Sequence, residues 1–103
     1  MFRRGRFDDL IKRQLDLFVV DQAPLLAEAD EADAAWTTAD RDAAAELYGD
    51  YQLVVDALGE RLHDLRETYS SSLDEQTADE YRTAFNRAAA KRFRHFAGFL
   101  EGV

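Results

Sequence analysis

Apolar side chains recur every three to four positions along almost the whole chain, and one proline, Pro24, interrupts the pattern. That spacing lines them up on one side of an α-helix, which turns about 100° per residue. No stretch alternates apolar and polar residues with a period of two for long enough to make a strand. Ala, Leu, Arg and Glu, all favourable in helices, dominate the composition. An all-α fold is expected.

The first helix is predicted to begin near Phe7 and reach about Trp36. Phe7, Ile11, Gln14, Phe18, Gln22, Leu25, Ala29, Ala32 and Trp36 share one side of it. Pro24 lacks a backbone donor and clashes with the carbonyl four residues earlier. It predicts a kink near Val20 and Asp21, or a break there with Asp21 as N-cap and Pro24 in the first turn of a new helix. Residues 37–40 read as a turn, with Thr38 or Asp40 capping the second helix. The apolar stripe of that helix is Leu47, Tyr51, Val54, Leu58, Leu62, Leu65 and Tyr69. Gly49 and Gly59 each weaken it by roughly 1 kcal/mol relative to Ala, and either permit close helix approach or are neutral.

Ser70, Ser71 and Ser72 end the second helix, and Ser72 with Glu75 fits a capping box. The third helix is predicted to run to about Leu100, with Tyr81, Phe85, Ala88, Ala89, Phe96 and Phe99 facing inward and Gly102 as a stop. Short turns between long helices make neighbours antiparallel. The expected architecture is an antiparallel three-helix bundle forming one domain over 1–103, or four helices if the first splits at Pro24.

A chain of 103 residues can bury a core without staples. The absence of cysteine excludes disulfides, thiolate metal sites and cysteine nucleophiles. A net charge of −8 disfavours nucleic acid and anionic membrane surfaces, both of which are bound through Lys and Arg. Leu17 to Val20 is the longest apolar run and is far too short to span a bilayer. Arg3, Arg4 and Arg6 resemble the start of a secretory signal, but charges follow where an apolar stretch belongs, so a cytoplasmic location is expected. Arginine far outnumbers lysine, and Ala and Asp are abundant, as in GC-rich bacterial coding. Acidic residues concentrate between Asp21 and Asp50. The bundle is expected to set Lys91, Arg92, Arg94 and His95 beside them, and Arg3, Arg4 and Arg6 near Glu67, Asp74 and Glu75.

Chemical motifs are few. Glu60 and His63 form a Glu-x-x-His pair, the spacing that di-iron carboxylate bundles use inside the bundle. One copy of the pair would need a symmetric dimer, with Glu28 or Glu31 as a further ligand. Counting 100° per residue puts His63 opposite the apolar stripe and turns Glu60 away as well, which favours a solvated face. No metal or other cofactor is therefore expected, and Glu60 and His63 are the candidate ligands if one binds. Lys91 to Phe96 reads either as a basic and aromatic patch for an anion or RNA, or as a helix end whose cations suit the dipole, the favoured reading. Asn86 and Arg87 read as buried groups fixing helix register or as plain surface. Gln14 and Asp21 read as local hydrogen-bonding groups or as the wall of a polar pocket with Tyr48 or Tyr51. No phosphate loop, dinucleotide fingerprint or zinc-protease motif occurs, and no serine has a catalytic setting, so no enzymatic activity is expected.

The first helix carries more apolar surface than a bundle needs. Leu10 and Leu17 widen its stripe on one flank, and Leu15, Val19 and Leu26 on the other, to an arc of about 200°. Phe93 and Leu100 broaden the third helix in the same way. Such a surplus points to a protein interface, and a symmetric homodimer is the commonest kind. The expected function is a protein-interaction or structural module, pairing with itself or another protein through Leu10, Leu17, Val19, Phe93 and Leu100. The alternatives are a carboxylate and histidine metal bundle completed by dimerisation, and a small-molecule domain with a cavity near Trp36, Tyr48 and Tyr51. The competing outcome for the apolar surplus is a Pro24 kink that buries it all within a monomer.

Overall fold

The computed structural model describes residues 5–96. Within them lie four helices: α1 (Asp8–Asp21), α2 (Ala23–Thr37), α3 (Arg41–Ser70) and α4 (Glu75–Arg92). No strand occurs among the described residues.

The proline splits the first predicted helix in two. Gln22, not Asp21, is the joint: it ends α1 and precedes α2 without a side-chain cap. The Gln22 amide donates to the Phe18 carbonyl at 2.8 Å, and the Leu26 amide donates to the Gln22 carbonyl at 2.9 Å. Pro24 falls in the first turn of α2, where a backbone N–H would have had no partner within the helix. Arg61 of α3 donates to the Gln22 side-chain oxygen, which ties the joint to α3.

Carboxylate side chains cap the starts of α3 and α4. The Asp40 carboxylate accepts from the Ala43 amide at 3.0 Å and starts α3. Thr38 does not cap α3. Its hydroxyl donates back to the Ala34 carbonyl at 2.7 Å and finishes α2. The capping box predicted at Ser72 does not form. Asp74 starts α4, accepting from the amide and the hydroxyl of Thr77 at 2.9 and 2.8 Å. The Ser72 hydroxyl donates instead to the Tyr69 carbonyl at 2.7 Å. A carboxylate two residues nearer the helix can accept two bonds at once, so it displaces the serine. The last helix also stops earlier than predicted, at Arg92, and a single tight turn follows in which the Phe96 amide reaches the Phe93 carbonyl at 2.8 Å. Phe99, Leu100 and Gly102 lie outside the described residues.

The core runs between α1, α4 and the second half of α3. Ile11, Leu15 and Phe18 of α1 meet Val55, Leu58 and Leu62 of α3 and Tyr81, Phe85 and Ala89 of α4. Each large side chain withdrawn from water contributes about 1.5–3 kcal/mol. Phe7 meets Tyr81 edge-on at 5.5 Å, and Phe18 meets Phe93 edge-on at 5.8 Å. α2 adds Ala29 alone to the buried set and packs chiefly along the first half of α3. The result is an elongated molecule of 50 × 31 × 22 Å. It has a head, made of α1, α4 and the second half of α3, and a two-helix arm, made of α2 and the first half of α3.

Candidate interaction surfaces and the polar layer

The residues predicted at an interface have separate fates. Leu17 is 62% exposed on the outside of α1. Leu10 and Val19 are half-buried and lean on the core. Phe93 corrects the expectation, because it is 4% exposed and packs against Phe18 inside the chain's own core. Its displacement from the α4 stripe vanishes because α4 has ended and the following turn swings the ring inward. Leu100 lies outside the described residues. Val20, overlooked in the sequence, is 72% exposed and stands one turn on from Leu17. The signal for it was its position three residues after Leu17, which makes the two neighbours on a helix surface.

Glu60 and His63 both lie at the surface. The Nδ1 atom of His63 is 2.9 Å from the Arg66 guanidinium, which repels a metal ion and orients the ring towards a different partner. Among the described residues no group of three or more His, Asp or Glu side chains could hold a metal.

That arginine belongs to a polar layer across the head. Arg66 is 6% exposed, yet each arm of its guanidinium has a partner. Its Nε donates to Glu67 at 2.9 Å, Nη1 donates to Asn86 of α4 at 2.9 Å, and Nη2 meets His63. A guanidinium can only donate, so Nδ1 of His63 is the acceptor in that contact. Arg82 of α4 grips Glu67 with two bonds, at 3.0 and 3.1 Å, and the buried Ser70 hydroxyl adds a third donor at 3.3 Å. Arg82 above all, and then Arg66, hold the Glu67 carboxyl down at about 2. On the α1 side, the fully buried Tyr81 hydroxyl donates to Gln14 at 2.8 Å, and burial pushes this phenol up to about 12. Asn86 links α4 to Arg66 but is itself exposed and not buried, while Arg87 faces outward in a shallow groove of α4. The sequence did contain a sign of Arg66 and Ser70: they continue the four-residue spacing of Leu58 and Leu62.

Two grooves of opposite charge mark the outer surface. Between α1 and α4, a groove of about 610 Å³ has Ile11, Leu15 and Ala88 in its walls, with Lys12, Lys91, Arg92 and Arg94 and one carboxylate, Asp8, around it. Lys12 and Arg92 share Asp16, each at 2.8 Å. In the arm, a groove of about 520 Å³ runs between α2 and α3 over Ala32, Ala35, Leu47 and Val54. Glu28, Glu31 and Asp50 rim it, and Leu53 stands beside it 70% exposed.

The remaining expectations are met in part. His95 approaches Asp30 at 3.6 Å, so one residue of the α4 end does meet the acidic segment. Arg6 turns to Glu80 at 3.5 Å instead of to Glu67, which Arg66 and Arg82 occupy. The aromatics at the α4 end are not displayed, since Phe93 and Phe96 are both buried. Trp36 packs on Tyr48 and Tyr51 with centroids 4.9 and 6.1 Å away. Its buried Nε1 has no hydrogen-bond partner among the described residues. Neither the two grooves above nor the α4 groove includes any of these three aromatics in its lining. No helix among the described residues is long and apolar enough to cross a membrane. No known protein family, curated protein or solved structure matches the chain.

Proposed function

We propose that the protein is a small helical interaction module that self-associates through the outer face of α1. The observation that carries this reading is the pair Leu17 and Val20, neighbours on the helix surface and 62% and 72% exposed. Burying two such side chains against a second copy would recover about 1.5–3 kcal/mol for each. Leu10, seven residues before Leu17, lies at the margin of the same face. Phe93 takes no part, because it is already spent in the core. The short turns at 38–40 and 71–74 support a bundle in which consecutive long helices run antiparallel.

Sedimentation equilibrium from micromolar concentrations upward tests the proposal. The expected result is a mass that rises above 11.7 kDa with concentration. At high salt, the Leu17→Glu, Val20→Glu double variant should stay at the monomer mass with an unchanged helical circular dichroism spectrum. A wild-type chain that remains monomeric throughout the range would overturn the reading.

A further inference from the structure

We infer that the protein has a second, electrostatic self-association surface, in which the acidic groove of the arm seats on the basic α1–α4 face of another copy. The inference goes beyond the α1 outer face and uses none of its residues. It starts from unspent charge. Glu28, Glu31 and Asp50 on the arm, and Lys91 and Arg94 beside the α1–α4 groove, make no ion pair among the described residues. In a chain of net charge −8, a face that leaves Lys91 and Arg94 unpaired, next to Lys12 and Arg92 that share Asp16, is a scarce feature, and it fits an acidic partner.

Shape supports the same pairing. The arm has two helices and lacks a third to cover its seam, which leaves Leu53 in water beside the acidic rim. The α1–α4 groove offers apolar walls from Ile11, Leu15 and Ala88 between its cations. Leu53 can therefore enter a pocket whose rim carries the charges opposite to its own neighbours. Arm and basic face are different surfaces of one chain, so the contact is of the heterologous kind, in which one copy gives what the next receives.

The test uses two charge-reversed chains, both carrying Leu17→Glu and Val20→Glu so that the α1 face is silent. One carries Lys91→Glu and Arg94→Glu, and the other carries Glu31→Lys and Asp50→Lys. All of these positions are exposed or rim the grooves, so circular dichroism should be unchanged. The chain with only the α1 substitutions should associate at low salt, and at high salt this should weaken by roughly tenfold or more, because rim charges are screened. Each reversed variant alone should be monomeric, and an equimolar mixture of the two should associate into species that contain both chains in equal amounts. Monomeric behaviour of the chain silenced only on α1, or a mixture that stays monomeric, overturns the inference while leaving the α1 reading intact. If wild type associates and Leu17→Glu, Val20→Glu abolishes this at every salt concentration, the α1 reading alone survives. Monomeric wild type at every salt concentration overturns both.

Discussion

In the head, Ile11, Leu62, Tyr81 and Phe85 are each 1% exposed or less, whereas α2 in the arm contributes only Ala29 to the buried set. Both regions are equally regular helix. They differ in the number of walls. Three helices surround the line of core side chains in the head, so each inward residue has neighbours on every side. Two helices in the arm share one seam, the turn after α4 reaches the arm at Tyr51, and much of each cylinder stays wet. The buried positions of α3 show this along a single helix: none precedes Val55, and Val55 is the first of six that end at Ser70. The lesson is that helix formation and core formation are separate events. The arm's side chains have the periodicity of a core without the third wall that would make one.

Four measurements test the contrast between head and arm. The largest effect is expected for Leu62→Ala, which removes a fully buried side chain and should destabilise the protein by about 2–5 kcal/mol in urea unfolding. Leu53→Ala in the arm should change stability by no more than about 0.5 kcal/mol. Equal losses at the two positions would erase the distinction between head and arm.

Next is Asn86→Ala, which strips the Nη1 partner from the buried Arg66 and should lose about 1–3 kcal/mol. Asn86→Asp keeps an acceptor and should restore most of that. A neutral Asn86→Ala would show that the polar layer is not part of what holds the head together.

A smaller effect, in the opposite direction, is expected for Gly49→Ala in the arm. A Cβ there meets nothing within 4 Å, so the change should stabilise by about 1 kcal/mol through helix propensity alone. A loss instead would reveal a neighbour approaching that face.

The smallest effect is on pH dependence. Glu67 titrates at about 2 when folded, against an ordinary 4.5. Its contribution is therefore fully present above pH 4.5 and disappears as the pH falls through 2. Glu67 is 35% exposed, so water screens part of it. Glu67→Gln should flatten the stability profile in that window, and an unchanged slope would assign acid sensitivity to other carboxylates.

Local chemistry explains which features were legible in the sequence. The break at Pro24 and the cap at Asp40 depend on a missing donor and on one carboxylate beside one amide, and both follow from residues a few positions apart. Near-misses came from local competition. Ser72 and Asp74 could each start α4, and the aspartate accepted two bonds from Thr77 where the serine offered one. The α4 end was misplaced because Phe93 and Phe96 keep helical spacing past Arg92 while the backbone has already turned. The polar layer joins Gln14, Arg66 and Asn86, residues distant in sequence, and no periodicity links them.

From the sequence alone it follows that the chain is helical, that Pro24 interrupts the first helical pattern, and that the apolar stripe of α1 is unusually broad. Those properties follow from the backbone preferences and angular spacing of nearby residues. Only the tertiary structure decided which part of the surplus is left over. It took Phe93 into the core, set Val19 against it, and left Leu17 and Val20 outside. It also decided that Arg66 is buried among partners and that Leu53 is bare. Burial depends on how many helices arrive around a position, and that number is a property of the packed molecule, not of any one segment.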